Sequence, residues 1–425
     1  MDTLPTIEVN QRNYPVSAVP AVTICLDGCE PAYLDRAMEA GLTPNLKNIR
    51  ESGTDTLAHS VIPSFTNPNN LSIATGSSPA VHGICGNYLY DPETGEEVMM
   101  NDIRFLRAPT IFSRFQQAGR RVAIVTAKDK LRALLGAELT PEPNGTCCFS
   151  AEKSASTGAA EHGMENAAEW LKFPQPEVYS AALSEFVFAA GVKLLQERKP
   201  NLTYLTTTDY IQHKHAPGTP VANSFYAMFD RYLGELDALG AAIVITADHG
   251  MKPKHRADGT PNVIYVQNIL DKMLGRGNAR VILPITDPYV VHHGALGAFA
   301  TAYLPAGCNH AEVVSELESI EGMLLVLDKA QAVERFQLPG DRIGDVIMIS
   351  DETFVIGTNE AGHDLATLKQ PLRSHGGLTE QQVPFIVNRK LHLPSPPDLK
   401  NYDAIYYATV AASQTTSQTT NQTTL

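Results

Sequence analysis

The chain of 425 residues lacks any stretch approaching the roughly 18 consecutive apolar residues that a membrane-spanning helix needs, which removes that class of protein. Its first twenty residues lack a basic start followed by an apolar segment, so no secretory signal is visible. Positive charge is also scarce: 33 Lys and Arg stand against 46 Asp and Glu, a net charge of -13 at pH 7. That balance argues against broad binding to nucleic acid or anionic lipid. It leaves an anionic small molecule open, because a few focused lysines or bound dications set the potential of a pocket. Cysteine is sparse, and Cys25, Cys29, Cys85, Cys147, Cys148 and Cys308 show neither zinc-finger spacing nor a dense disulfide framework. Reduced thiols in a cytoplasmic protein are expected.

What is present is a globular composition, with 43% hydrophobic and 19% charged residues. Apolar runs at 21–26, 121–126, 202–206 and 242–246 read as strands, each followed by a polar loop. Between them, 33–40, 181–198 and 221–239 carry apolar residues at three- and four-residue steps and read as helices. Such alternation predicts an α/β fold with a mostly parallel sheet covered on both faces. Residues 383–387 supply a last strand. From 255 to 369 the pattern changes to short β-like runs (279–283, 299–304, 323–327, 345–349) and a helix near 311–320, which reads as an inserted α+β cap domain. The core is therefore expected at 1–254 and 370–412. The tail 413–425, rich in Ser, Gln and Thr repeats, is expected to be disordered.

Ligands in such sheets gather at the carboxyl ends of strands. Asp27, Asp209, His213, Asp248, His249 and His375 all fall at predicted strand ends. Asp209 and His213 are four apart, on one face of a helical turn, where one carboxylate and one imidazole can share an ion. Asp248 and His249 are adjacent and would point to opposite faces of a continuing strand, so either the strand ends there or they serve different ions. Taken alone, Asp27-Gly28 is a common turn and His375 a loop histidine; together the six are enough oxygen and nitrogen donors for two metal ions with open positions. His255, His292, His293, His310 and His363 are expected to be surface or structural residues. Ser64 and Thr66 precede a helix expected at 69–75, where a hydroxyl meets the positive helix end. Either one can be a nucleophile, and Thr66 can equally be a helix cap.

Asp27-Gly28, Pro63-Ser-Phe-Thr-Asn-Pro-Asn69, His82-Gly83 with Asn87, Asp209-x-x-x-His213, Asp248-His249-Gly250 and Ser374-His-Gly376 occur in that order. The set resembles the alkaline phosphatase superfamily, in its nucleotide pyrophosphatase/phosphodiesterase branch, over about 21–250 and 373–388. The resemblance implies a three-layer sandwich and two Zn2+ ions, one on Asp209, His213 and His375, the other on Asp27, Asp248 and His249. It implies Thr66 as the nucleophile, bridging toward the second ion, and Asn87 as a donor to a phosphoryl oxygen. Lys128 and Lys130, just past the strand at 121–126, would hold a substrate carboxylate, with His215 a weaker candidate for the same task. The activity so implied is hydrolysis of the carbon–phosphorus bond of phosphonoacetate to acetate and phosphate. The serine nucleophile and additional magnesium site of an alkaline phosphatase in the narrow sense have no clear equivalent. The rival readings are a phosphodiesterase or phosphonate-monoester hydrolase, for which no aromatic base slot is visible, and a non-catalytic metal- or anion-binding protein. The partners expected are a small-molecule phosphonate and, in a homodimer, a second copy of the chain.

Overall fold

The computed structural model describes residues 5–287, 290 and 292–422. Seven strands form the central sheet: β1 (Ala21–Cys25), β2 (Thr54–His59), β3 (Val122–Thr126), β4 (Cys147–Ser150), β5 (Leu202–Thr206), β6 (Ala242–Thr246) and β7 (Gln382–Val387). Their order is β2-β7-β6-β1-β5-β3-β4. The run from β6 to β4 is parallel throughout, and only β7 lies antiparallel to its neighbours β6 and β2. Every residue of β1, β3, β4, β5 and β6 is buried, because helices cover both faces of the sheet, and in β1, β3, β5 and β6 this gives continuous rather than alternating apolar runs. Helices Pro31–Glu39, Pro44–Ser52, Ala182–Glu197 and Pro220–Ala238 form one layer, and Thr66–Thr75, Ile111–Gln117, Asp129–Leu135 and Ala404–Gln422 the other.

Five of the seven sheet strands, β1, β3, β5, β6 and β7, fall where the apolar runs predict, within a residue. β2 and β4 had no such signal, because they are the sheet edges: β2 reads Thr-Asp-Thr-Leu-Ala-His and is only partly buried, and β4 is four residues long. The last helix, Ala404–Gln422, continues through the start of the segment expected to be structureless; Ser413 is buried in it, and its hydroxyl donates to Val410 O. Residues 423–425 lie outside the described residues. Among the described residues no helix is long and apolar enough to cross a membrane.

The segment between β6 and β7 leaves the core at Lys252–Pro253 and returns at Arg373–Ser374, two short strands that pair with each other. Beyond that stem it forms an antiparallel sheet in the order Arg280–Ile282, Phe299–Tyr303, Val346–Ser350, Met323–Asp328, with helices His310–Glu318 and Lys329–Phe336. The stem is fixed by a fully buried ion pair, Lys254 Nζ to Glu380 Oε1 at 2.9 Å. Lys254 Nζ also donates to Asp351 O (3.2 Å), and Glu380 Oε2 accepts from Gly377 N (2.9 Å). Gly250 N donates to Glu380 O at 2.7 Å. One pair thus ties together the loop after β6, the loop after Ser374 and the inserted segment.

Removing one partner of such a pair leaves an uncompensated buried charge, so Lys254→Ala is expected to lower the unfolding free energy by about 3–5 kcal/mol. Urea denaturation of the purified variant measures it. The double variant Lys254→Met/Glu380→Leu is expected to lose much less, and equal losses in both variants would show that packing rather than charge carries the effect.

Candidate active site

The chemistry-bearing residues follow the strand order. Asp248 and His249 lie just past β6, Asp27 past β1, Asp209 past β5, and Lys128 with Lys130 past β3. Adjacent parallel strands therefore deliver their ends to one crevice. β6 stops at Thr246, so Asp248 and His249 are not constrained to opposite faces, and both reach one group with Asp27. Gly28 has φ +68°, and a Cβ there would stand 2.9 Å from Asp209 Cβ. Glycine is thus what lets the turn after β1 approach the Asp209 loop.

The geometry of the cluster calls for positive charge. His249 Nε2 lies 3.3 Å from Asp27 Oδ1 and 3.6 Å from Asp248 Oδ2. His213 Nε2 and His375 Nε2 lie 2.9 and 3.7 Å from the same oxygen, Asp209 Oδ2. Each of these three rings directs Nδ1 at a backbone carbonyl: His213 at Arg373 O (2.8 Å), His249 at Gly250 O (2.9 Å) and His375 at Ser64 O (2.8 Å). That bond places the proton on Nδ1 and aims the Nε2 lone pair at a carboxylate. Lone pair facing lone pair is repulsive until a cation enters. Asp27 Oδ1 is buried with no hydrogen-bond donor, as a metal ligand's oxygen would be. Two groups, Asp27-Asp248-His249 and Asp209-His249-His375, have ligand atoms within 4.8 Å of one another, and the rings of His249 and His375 stack at 3.5 Å. The residues therefore fit two neighbouring cations.

Protonation equilibria show the same demand. Burial raises Asp27 well above the usual carboxylate range, and the Asp209 and Asp248 charges add to it. Burial likewise raises Asp248. Burial also opposes a charge on His249, yet Asp248, Asp27 and Asp209 overcome it and lift the imidazole to about 10. For Asp209, burial is outweighed by His213, His375 and His249, and the carboxyl ends well below its ordinary value.

Several supporting residues carried no sequence signal. Asn70, fully buried, donates from Nδ2 to Asp248 Oδ2 (3.2 Å) and Thr66 O (3.0 Å). Its Oδ1 accepts from Tyr204 OH (2.7 Å) and Thr206 Oγ1 (3.0 Å). Asp27 N donates to Thr207 Oγ1 at 2.9 Å. All four are uncharged residues that become informative only once the strand ends are assembled.

Thr66 is the first residue of its helix, which starts three residues earlier than the sequence suggested; Phe65 is the N-cap and makes no side-chain cap bond. Thr66 is therefore not the cap. Its Oγ1 lies 3.4 Å from His249 Nε2 and faces the cavity. Ser64, by contrast, is fully buried, donating to Gly377 O (2.8 Å) and accepting from Gly376 N (3.1 Å). Its hydroxyl is structural. Asn87 Oδ1 accepts from Asn67 N at 3.3 Å, which turns its amide nitrogen toward other acceptors.

A cavity of about 960 Å³ is lined by Asp27, Thr66, Asn87, Asp209, His213 and His375, and also by Lys128 and Lys130. Lys130 Nζ pairs with Asp287 at 2.9 and 3.1 Å, and Lys128 Nζ donates to Val178 O (3.2 Å) and lies 5.1 Å from the Tyr179 ring centre. His215 is not among the lining residues; its carbonyl accepts from Tyr33 OH at 2.8 Å. Of the histidines expected to be surface or structural, His292 and His293 line the cavity, with their rings 4.5 and 5.5 Å from His213. Burial, with His213 adding to it, holds their pKa values down at about 2 and about 4. Tyr179 and Tyr210 also line the cavity, 5.8 Å apart, an aromatic pair invisible in the sequence.

Comparison with known proteins gives a consistent set of relatives. The family model for type I phosphodiesterase / nucleotide pyrophosphatase matches residues 21–378. Phosphonoacetate hydrolase from Sinorhizobium meliloti, solved in complex with phosphonoformate and with phosphonoacetate, is 67% identical. The match covers 96% of this chain and 100% of that one, with TM-scores of 0.95 and 0.94. Murine ectonucleotide pyrophosphatase/phosphodiesterase 5, at 18% identity and a TM-score of 0.62 over 93% of this chain and 95% of that one, shares the fold. An uncharacterized pyrophosphatase/phosphodiesterase of Schizosaccharomyces pombe is 26% identical over 247 residues, 55% of this chain. The match spans 44% of that relative's length, so the chain corresponds to less than half of it.

Because Asn70 orients Asp248 and the start of the Thr66 helix together, Asn70→Ala is expected to weaken divalent-metal affinity by about 10- to 100-fold. Chelator competition on protein of unchanged far-UV circular dichroism measures this, and unaltered affinity would assign Asn70 to packing alone.

Proposed function

We propose, for a chain that belongs to the type I phosphodiesterase / nucleotide pyrophosphatase family, the hydrolysis of phosphonoacetate to acetate and phosphate. The observation that carries this reading is the shared cavity: Thr66, Asp27, Asp209, His213 and His375 line it, and Lys128 and Lys130 line the same space. A substrate with a phosphonate at one end and a carboxylate at the other matches both. The 67% identity with a phosphonoacetate hydrolase over the whole of that chain supports it.

Two zinc ions would be held by Asp27, Asp248 and His249 and by Asp209, His213 and His375, and when bound supply Lewis-acid charge that lowers hydroxyl pKa and offsets charge on phosphorus-bound oxygens. Thr66 Oγ1 forms the new bond to phosphorus, favoured by its place at the positive end of the helix. Asn87, its Oδ1 held by Asn67 N, offers its amide N–H groups to a phosphoryl oxygen. As the phosphorus–carbon bond breaks, its electron pair moves to the methylene carbon and is delocalised into the carboxylate. Lys128 and Lys130 stabilise that charge, an electrostatic role acting in a partly desolvated site. The carbon takes up one proton, balancing the one that Thr66 Oγ1 lost on bonding phosphorus, and leaves as acetate; water then cleaves the phosphothreonine, its oxygen going to phosphorus and a proton returning to Thr66 Oγ1, which releases phosphate. The carboxylate subsite rests on the two lysines, since His215 does not line the cavity.

In this reading residues 255–369 act as a cap on the core of 1–254 and 370–412, because they contribute Asp287, Val290, His292 and His293 to the cavity. Six free cysteines, five of them buried, support a reducing, cytoplasmic location. A phosphodiesterase reading finds support in the Tyr179–Tyr210 pair, but Lys128 stands over the Tyr179 ring, where a base would stack.

Incubation with phosphonoacetate is expected to give equimolar acetate and phosphate, abolished by chelator. Rapid turnover of a nitrophenyl phosphodiester with no acetate formed would instead favour the diesterase. Thr66→Ala should abolish turnover while metal content persists, and Lys128→Ala and Lys130→Ala should each lower kcat/KM about 10²- to 10³-fold. Unchanged turnover in both lysine variants would remove the carboxylate assignment.

A further inference from the structure

His292 differs from every other imidazole at the base of the cavity. His213, His249 and His375 each commit Nδ1 to a backbone carbonyl, and His293 accepts from Ala295 N at 3.0 Å. His292 has both ring nitrogens buried and neither with a hydrogen-bond partner. The ring is nevertheless held in place, edge to face with His213 at 4.5 Å and with Tyr179 and Tyr210 at 6.2 Å each. Its ligand atom, that of His213 and that of Asp209 all lie within 4.8 Å of one another. Buried polar atoms left without partners are rare and call for a cause, and a shared cation is one that suits a neutral imidazole.

From this geometry we infer that His292 is a further protein ligand of the cation held by Asp209, His213 and His375, in the substrate-free state. The inference rests on the two-metal reading above. Asp209, His213 and His292 form one converged set of a carboxylate and two imidazoles, and His375 Nε2 stands 3.7 Å from the same Asp209 oxygen, so with His292 the donors around Asp209 number four, as many as a closed zinc shell holds, whereas catalytic sites keep one position open. His292 is therefore a displaceable ligand, which substrate replaces. Asp287, five residues earlier on the same inserted segment, contacts Lys130 at 2.9 Å. The segment thus places an imidazole at the metal end and a carboxylate at the lysine end, the two points a phosphonocarboxylate would claim.

The test uses full-length apoprotein loaded with Co2+, whose visible absorption reports coordination, with affinities from chelator competition. Wild type is expected to bind two ions. His292→Ala and His292→Phe, the second keeping an aromatic ring between Tyr179 and Tyr210, are each expected to weaken one site at least tenfold and alter its absorption, leaving the other site unchanged. Inorganic phosphate should change the wild-type spectrum toward that of His292→Phe. The inference is overturned if both variants bind two ions within twofold of wild type with an unaltered spectrum, or if His292→Phe behaves as wild type while His292→Ala does not, since packing then explains the loss. A wild type that binds fewer than two ions overturns the two-metal reading and this inference with it. Two bound ions without phosphonoacetate turnover would count against the proposed reaction alone, leaving the cobalt comparison decisive for His292.

Discussion

Three carboxylates brought to one point, Asp27 and Asp248 buried and Asp209 partly so, are the constraint around which this molecule is arranged. Two unit charges at 4 Å repel by about 4 kcal/mol at an effective dielectric constant near 20, so Asp27, Asp209 and Asp248 cannot share the crevice as bare anions. The three imidazoles do not relieve the repulsion while neutral, because their backbone bonds turn lone pairs toward the carboxylates. Positive charge has to enter, as protons or as metal. Strand order makes the convergence possible: β6, β1 and β5 are consecutive in the sheet, and their ends deliver the three carboxylates side by side.

The rest of the scaffold holds that arrangement against its own repulsion. Asn70 donates to Asp248 and is itself fixed by Tyr204 and Thr206 of β5, so one strand steadies a carboxylate carried past β6, two places away in the sheet. His375 comes from a separate stretch of chain and depends on Ser64 O and on the Lys254–Glu380 pair, which secures the glycines that follow it. Gly376, with φ +125°, passes so close to Phe65 that a Cβ would stand 2.4 Å from its ring. A larger residue there would push apart the loop carrying His375 and the turn leading to Thr66.

Much of this was legible before any coordinates because its signals are local. Strands buried on both faces announce themselves as apolar runs, and a polar residue that ends such a run stands at the crevice by topology alone; Asp27, Asp209 and Asp248 were found that way. Thr66 was ambiguous for a physical reason: a hydroxyl at a helix start serves equally as cap or as nucleophile, and only the position of Phe65 as N-cap separates the two. β2 was missed because an edge strand needs little apolar surface. The place of His292 in the cavity is not legible in the sequence, because its neighbour His213 lies far away in the chain and nothing in a surface-like insertion records which side chain folds back onto the core. The Tyr179–Tyr210 pair escaped notice for the same reason.

The contact between Lys130 and Asp287 bears on how an acidic protein selects an anion. With a net charge of -13, long-range attraction does not draw the substrate in, so selection falls to the cavity itself. An internal carboxylate already occupies the lysine end, and being tethered it competes at high effective concentration. In the proposed reading, a ligand must therefore offer a carboxylate of its own to displace Asp287, and a phosphonate or phosphate ester without one leaves that pair intact. Discrimination then arises from an attraction the wrong ligand cannot replace, which is a form of selection by exclusion. The same pairing keeps Lys130 from standing as an unscreened cation in the pocket.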